Sequence, residues 1–156
     1  MHAAKEAAGG NRIHVRFLGE DRCGPYECNL HGVWDTELIL HTGLKPEDYA
    51  TRLEELIKTE HLAGQNGGTP EQWANESVAL AQAAWVADGA NLDQAYCQRE
   101  IKVVDRQMAL AGLRLAKLLN ETIGKMTWDI SLCNLDPHPP LRLEKQAYFI
   151  SSNLTD

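Results

Sequence analysis

Two side chains four residues apart, His31 and Asp35, are the pair in this sequence whose types and spacing best suit metal chemistry. If the segment around them is helical, both side chains project from the same face of the helix. An imidazole and a carboxylate placed in this way can hold one zinc ion between them. A histidine and an aspartate at this spacing are more often an ordinary surface pair, so spacing alone leaves both interpretations open.

A zinc site needs a further protein ligand, and His2 is a candidate, although a residue at a chain terminus is weak support by itself. The cysteines give a second possibility. Cys23 and Cys28 bracket a short GPYE segment, which predicts a small disulfide loop in an exported protein, and free thiols or half of a metal site in the cytosol. Because Cys97 and Cys133 are isolated, a four-cysteine zinc site is not expected.

The elements that must position these residues are predicted to be mostly α-helical, with one short β segment near residues 12–18. Two glycines precede this segment and predict a turn. Asn29, a capping box at Thr69, and Asn91 are predicted to cap three of the helices. Four helices are predicted at residues 29–43, 46–64, 69–89 and 91–124. Each is predicted to end at a glycine: Gly43, Gly64, Gly89 and Gly124.

The last predicted helix carries an apolar pattern with alternating spacings of four and three. The residues that form it are Val104, Met108, Ala111, Leu115 and Leu118. This pattern predicts one continuous buried stripe. The stretch 125–156 is rich in proline and has no such stripe, so it is predicted to be an irregular tail beyond the main domain at 1–124, with a short strand near 147–150.

The bulk composition restricts the class of protein. With 156 residues the chain is about the size of one domain, and 44% hydrophobic residues are enough for a core. A net charge of −7 argues against tight electrostatic binding of duplex DNA, although a metal cluster can supply positive charge locally. No run approaches the roughly 20 apolar residues of a membrane span, and the first residues lack the apolar run of a secretory signal. No membrane partner and no export signal are therefore expected in the chain as given.

Several ordered motifs resemble those of one enzyme family. Residues 29–36, NLHGVWDT, resemble the NLHxxWDT signature of the single-strand-specific zinc nucleases of the S1/P1 type, known from fungi, plants and bacteria. Upstream, His2 stands where that family's QPLH segment ends, and GGN follows at 9–11. Downstream, WANES at 73–77 is similar to the family's WAxES helix start, and residues 107–120 resemble its closing helix. The motifs occur in the family's order and at similar spacing.

The resemblance implies the helical fold shared by P1 nuclease and phospholipase C, with a site of three zinc ions. It assigns the ligands of one ion to His2, His31 and Asp35, and no catalytic residue beyond the metal ligands. Asn11, in a loop near the metals, is a weaker candidate for substrate binding. The implied activity is zinc-dependent hydrolysis of single-stranded DNA and RNA to 5′-phosphate products, with removal of 3′-phosphates from nucleotides. Export to the periplasm or the outside of the cell is implied as well.

The departures from the family are also informative. Its other zinc ligands, including an N-terminal tryptophan, would lie before Met1, so the chain resembles the C-terminal half of such an enzyme, truncated at the N-terminus. At most one zinc ion is then supported, and we expect weak or no activity from this chain alone, together with exposed apolar helix faces. Two alternatives stay open: a non-catalytic helical remnant that binds at most one zinc, and a zinc phospholipase C-like hydrolase. No oligomeric state is predicted.

Overall fold

Residues 7–123, which the computed structural model describes, are mostly α-helical, as predicted. The helical stretches are α1 (Leu30–Gly32), a π-helical turn (Val33–Glu37), α2 (Leu38–Leu40), α3 (Pro46–Thr59), α4 (Pro70–Ala83) and α5 (Gln94–Ile123). The first three follow one another without a break. Two 3-10 turns lie at Ala8–Gly10 and Leu62–Gln65. The predicted tail at 125–156, its strand and the domain boundary before it lie outside the described residues.

Side-chain caps start the helices where the sequence predicts them in two cases. The Oδ1 atom of Asn29 accepts a hydrogen bond from the backbone N–H of Gly32 at 2.8 Å, so Asn29 is the N-cap of α1. Thr69 and Gln72 form the reciprocal capping box before α4, with a proline at the first helical position. The helix that carries the candidate metal ligands therefore has a defined start.

The cap predicted for the last helix is wrong, because Asn91 belongs to a strand. α5 begins after Asp93 instead, whose Oδ1 atom accepts a hydrogen bond from the N–H of Tyr96 at 2.8 Å. The side chain of Asn91 accepts a hydrogen bond from the N–H of Gly19 at 3.0 Å. Asparagine and aspartate are about equally good N-caps, so the sequence does not separate two candidates two residues apart.

Two helices end earlier than predicted. α3 stops before the predicted end at Gly64, because His61 takes a left-handed conformation with a φ of 54° and a 3-10 turn follows. α4 stops before the predicted end at Gly89. There the carbonyl of Ala84, just after the helix, accepts a hydrogen bond from the hydroxyl of Tyr96 at 3.0 Å, and the chain turns into a strand.

Within residues 7–123, four short strands accompany the helices, and one of these strands was predicted. The strands are β1 (Val15–Phe17), β2 (Arg22–Cys23), β3 (Tyr26–Glu27) and β4 (Ala90–Leu92). β1 is the predicted segment, and it pairs in parallel with β4. β2 and β3 form an antiparallel hairpin. β2 and β3 were missed because runs of two residues are too short to show an alternating pattern, and β4 was missed because its partner strand is distant in the sequence.

The main core lies where β1, β4 and the segment 28–38 pack against the first half of α5. Its buried residues are Val15, Cys28, Leu30, Val33, Leu38, Leu92, Tyr96, Cys97 and Val104. Leu30 and Val33 are completely buried, and they flank His31 in the sequence. The position of the candidate ligand is therefore fixed by the packing of its neighbours. A smaller core of Leu62, Ala109 and Leu110 lies between the 3-10 turn at 62–65 and α5.

The buried stripe predicted on α5 is wrong over most of its length. Val104 is buried, but Met108, Leu115 and Leu118 are 41%, 57% and 42% exposed, and Ala111 is exposed as well. Helical periodicity identifies an apolar face, but it does not show whether another element covers that face. The separate expectation of exposed apolar helix faces is confirmed at this position.

Within residues 7–123, no helix combines the length and the apolar character that crossing a membrane demands.

Candidate metal centre

The candidate ligands lie on the helical segment that starts at Asn29, which confirms that the segment is helical. His31 lies in α1, and Asp35 lies in the π-helical turn that follows. The Nε2 atom of His31 is 3.1 Å from the Oδ2 atom of Asp35. The His31 side chain is 19% exposed and that of Asp35 is 51% exposed, so the pair lies at the surface with the imidazole largely covered. The structure thus brings these two predicted residues together.

A π-helical turn carries Asp35, which the sequence pattern does not predict. The N–H of Leu38 donates to the carbonyl of Val33, five residues back, in place of the usual four. Single π turns inside α-helices are found frequently at functional sites. The irregular backbone therefore lies at Asp35, one of the two candidate metal ligands.

The second ring nitrogen of His31 also has a partner. Nδ1 lies 3.2 Å from the backbone carbonyl of Gly9, a contact that an Nδ1–H donor satisfies. Both ring nitrogens therefore face oxygen acceptors, while a neutral imidazole has only one N–H to donate. The arrangement is satisfied if the ring carries both protons, or if Nε2 and the Asp35 carboxylate share a cation.

The distance between the two ligand atoms fits the second possibility. Zinc bonds to nitrogen and oxygen are about 2.0–2.2 Å long, and in a tetrahedral site they place the two ligand atoms about 3.3 Å apart. The observed 3.1 Å between His31 and Asp35 is close to this value. A metal-binding histidine also commonly donates its other N–H to a carbonyl, as Nδ1 can do towards Gly9. The donor set fits two ligands of one zinc ion.

The third predicted ligand, His2, lies outside the described residues. Across positions 7–123, no group of three or more histidine, cysteine, aspartate or glutamate side chains is placed to hold one metal ion. The described part of the chain thus supplies a pair of ligands, and a complete site needs at least one more donor.

The three cysteines within residues 7–123 are not part of this site. Cys23 and Cys28 form a disulfide, which decides between the alternatives left open for this pair. Cys97 is a free thiol inside the core, and burial raises its pKa, which disfavours the thiolate that metals require. Cys133 lies beyond the described part of the chain.

The loop before β1 contains Asn11, the predicted substrate-binding residue. Its side-chain amide donates to the carbonyl of Ala8 at 2.9 Å, and the residue is exposed. Gly9 and Gly10 have φ angles of 67° and 98°, so the turn predicted from these two glycines is confirmed. The contact of the Gly9 carbonyl with His31 was not predicted from the sequence. The GGN segment indicated a turn here, but every residue has a backbone carbonyl, so residue types do not show where this one is directed.

A cavity of about 210 Å³ adjoins Asp35. Its walls come from the helical segment at 30–40 and from α4 and α5, and they include Trp34, Leu80, Val104 and Met108. Trp34 is partly buried and packs against the main core, and its Nε1–H donates to the hydroxyl of Tyr96 at 2.8 Å. The cavity is mainly apolar, with Asp35 at one side.

Comparison with known proteins identifies relatives along most of the chain. The family model described as "S1/P1 Nuclease" matches residues 1–124. "Endonuclease 1" of Arabidopsis thaliana is 31% identical over 136 residues, which cover 74% of this chain and 42% of that protein. "Nuclease P1" of Penicillium citrinum is 29% identical over 147 residues, which cover 80% of this chain and 52% of that protein. The chain spans about half the length of the curated relatives it matches.

Proposed function

The chain belongs to the S1/P1 nuclease family, and from this premise we propose that it contributes to zinc-dependent hydrolysis of phosphodiester bonds in single-stranded DNA and RNA. The proposed products carry 5′-phosphates, and removal of 3′-phosphates from nucleotides is the proposed second activity. The family supports nuclease function in general. The zinc dependence, the substrates and the products are our proposals for this chain.

The observation that carries the proposal is the geometry around His31. Its Nε2 atom is 3.1 Å from the Asp35 carboxylate, and its Nδ1 atom is 3.2 Å from the Gly9 carbonyl. We assign His31 and Asp35 as two ligands of one zinc ion and His2 as the third. When bound, zinc supplies Lewis acidity, which makes water a better nucleophile and stabilises negative charge on the phosphate and on the leaving oxygen.

The exposure of the site suits a single-stranded nucleic acid, whose bases are not held in a stacked duplex. The Asp35 side chain is half exposed, so a phosphate of a single strand can reach this edge of the helix. Asn11, exposed in the neighbouring loop, is the proposed substrate contact. No catalytic residue beyond the metal ligands is proposed. The negative net charge of −7 disfavours tight binding of duplex DNA, in keeping with recognition near a metal.

We infer that the activity of these 156 residues alone is weak. They supply the proposed ligands of one ion, whereas the resemblance implies three. A single zinc ion lacks the neighbours that clamp the attacking and leaving oxygens together. A non-catalytic role with one bound zinc is the alternative that this count favours.

The compartment is proposed from the disulfide. Cys23 and Cys28 are bonded in a hairpin, and such bonds persist in oxidising surroundings such as the periplasm or the outside of the cell. We therefore propose that the protein works after export.

Zinc binding to the full chain tests the site. We expect one tightly bound zinc ion per chain, and we expect His31→Ala to weaken binding by at least about 100-fold, beyond the 10- to 100-fold typical of outer-shell partners. Asp35→Ala should behave similarly. The measurement is competition with a chromophoric chelator together with elemental analysis of the purified protein.

His14→Ala is the matched control for this experiment. The His14 ring lies on the surface, 3.4 Å from Asp88 and 3.9 Å from Glu27, so it is also an ordinary pairing of histidine with carboxylates. Its removal should leave zinc affinity unchanged. Equal losses from His31→Ala and His14→Ala, or more than one tightly bound zinc per chain, would contradict the assignment.

Substrate assays test the reaction class. Purified chain with zinc is offered single-stranded DNA, RNA, a 3′-nucleotide and phosphatidylcholine. We expect slow, zinc-dependent loss of the nucleic acids at most. Fast cleavage would overturn the inference of weak activity, hydrolysis of phosphatidylcholine alone would favour the phospholipase alternative, and bound zinc without any hydrolysis would favour the non-catalytic one.

A further inference from the structure

We propose that the turn at residues 7–11, here called the glycine turn, positions His31 as a metal ligand through the backbone carbonyl of Gly9. The inference rests on the proposed zinc site and adds a positioning element to it. The carbonyl lies 3.2 Å from Nδ1 of His31, 22 residues further along the chain. An Nδ1–H that donates to this carbonyl leaves the Nε2 lone pair directed at the position shared with Asp35.

The glycine turn is held by its own hydrogen bonds. The N–H of Gly10 donates to the carbonyl of Ala7 at 2.9 Å, and the Asn11 side chain donates to that of Ala8 at 2.9 Å. The N–H of Ile13 donates to the carbonyl of Gly10 at 3.1 Å. With its neighbouring groups engaged in this way, the Gly9 carbonyl is fixed in direction.

A second set of contacts joins the glycine turn to α1. The N–H of Leu30 donates to the carbonyl of Ile13 at 2.9 Å, which joins the start of the helix to the chain just after the turn. Gly9 and Gly10 are both buried, and so is Leu30. The turn and the helix therefore pack as one unit, and the distance from the Gly9 carbonyl to His31 is set by that packing.

Two features of the structure require glycine at position 10: the backbone conformation and the close approach of α1. Gly10 has a φ of 98°, a conformation that side-chain-bearing residues rarely adopt. A Cβ atom built on Gly10 would also lie 3.2 Å from the backbone nitrogen of His31 and 3.5 Å from the Cβ of Leu30. An added side chain therefore requires the turn and α1 to separate by a few tenths of an ångström. We expect this shift to disturb the contact between the Gly9 carbonyl and the imidazole.

The first test needs no metal. In the metal-free Asp35→Ala variant of the full chain, which lacks the carboxylate that competes for a proton on Nε2, nitrogen NMR shifts report which ring nitrogen carries the proton at about pH 8.5, where imidazoles are in general neutral. We expect the Nδ1–H form at His31. A predominant Nε2–H form would overturn the inference whether or not the protein binds zinc, so it is distinguishable from failure of the proposed zinc site.

The second test compares two glycine substitutions with similar backbone strain. Gly10→Ala should weaken zinc binding by about 10- to 100-fold and change the His31 nitrogen shifts, as the loss of an outer-shell partner does. Gly19→Ala is the matched control, because Gly19 has a φ of 91° but no atom within 4 Å of the added Cβ. It should bind zinc like the unaltered chain.

Equal zinc affinities of the Gly10→Ala and Gly19→Ala variants, with unchanged His31 shifts, would overturn the inference. If Gly10→Ala does not fold, the tautomer in the metal-free Asp35→Ala variant decides. If the unaltered chain binds no zinc, the proposed function fails on its own, and the same tautomer measurement still decides whether the Gly9 carbonyl orients the ring.

Discussion

Among single residues, Asp105 is a buried charge whose partners come from another helix. Its carboxylate accepts hydrogen bonds from the Tyr49 hydroxyl at 2.6 Å and from Nε of Arg52 at 2.9 Å. Burial and the hydrogen bond to Asp105 raise the pKa of Tyr49 well above its usual value, so the phenol remains a donor. A buried carboxylate is tolerated when such donors surround it. The residue thus joins α5 to α3.

Replacement of this carboxylate should weaken the fold. Asp105→Asn keeps the shape of the side chain but loses the charge-assisted hydrogen bond from Arg52, and we expect a loss of about 1–3 kcal/mol in the free energy of unfolding. Urea unfolding measures it. Glu60→Gln is the control, because Glu60 pairs with Arg106 at the surface, where such pairs contribute about 1 kcal/mol or less. Equal losses from the two variants would contradict this role of Asp105.

Residue-level predictions succeeded where a side chain's type and spacing carried the information. The approach of His31 to Asp35 followed from helical spacing, and the helix itself from the Asn29 cap. The partner on Nδ1 could not be found in this way, because it is the backbone carbonyl of Gly9 and its direction depends on how a distant turn packs. Of the two contacts made by the His31 ring, residue types therefore predict the one with Asp35 but not the one with the Gly9 carbonyl.

Between elements, a polar network joins α4 to α5. Arg114 donates to one oxygen of Glu76 at 2.6 Å, and Gln107 donates to the other at 3.1 Å. The Arg114 guanidinium also lies over the ring of Trp73, 5.2 Å from its centre. Burial raises the pKa of the Glu76 carboxyl, but the hydrogen bonds from Arg114 and Gln107 outweigh it, so the pKa is lowered from 4.5.

A lowered pKa in the folded state has a defined consequence for stability. The stabilising contribution of Glu76 is present above the unfolded value of 4.5 and is lost as the pH falls through the folded value. We expect Glu76→Gln to be less stable than the unaltered chain at neutral pH, and the difference to close at acidic pH. Glu76 is partly exposed, so solvent screening limits the effect. Urea unfolding at a series of pH values measures it.

Glu121→Gln provides the comparison for this pH experiment, because Glu121 is an exposed carboxyl near the end of α5. Its substitution should change stability little at any pH. A difference for Glu76→Gln that stays constant from neutral to acidic pH would show that the carboxyl's charge is not what stabilises the contact between α4 and α5.

Elements could be predicted well when they were long or capped by a recognisable motif. The capping box at Thr69 and the start of α3 at residue 46 were predicted correctly. β4 was missed because its three residues pair with β1, more than 70 residues away, and local patterns do not contain that pairing. Because β4 was missed, Asn91 was wrongly predicted to cap α5. Its side chain instead accepts a hydrogen bond from the N–H of Gly19.

At the scale of the whole molecule, one side of α5 remains apolar and open. Met108, Leu115, Leu118 and Ile123 are between 41% and 57% exposed, whereas Ala109 and Leu110 on the same helix are buried. The sequence predicted the apolar character of this face correctly and its burial wrongly, because coverage depends on which elements surround the helix. Contiguous apolar surface of this kind promotes association in water.

Substitution of Leu115 tests this picture of the molecule. Leu115→Glu should leave the free energy of unfolding within about 0.5 kcal/mol of the unaltered chain, because the side chain is 57% exposed. It should also reduce binding of a hydrophobic dye and concentration-dependent association in sedimentation velocity, since it places a charge in the apolar face. Leu110→Ala, at a position 2% exposed, is the contrasting variant and should lose about 2–5 kcal/mol. If Leu115→Glu destabilised the chain as strongly as Leu110→Ala does, this face of α5 would have to be covered in solution.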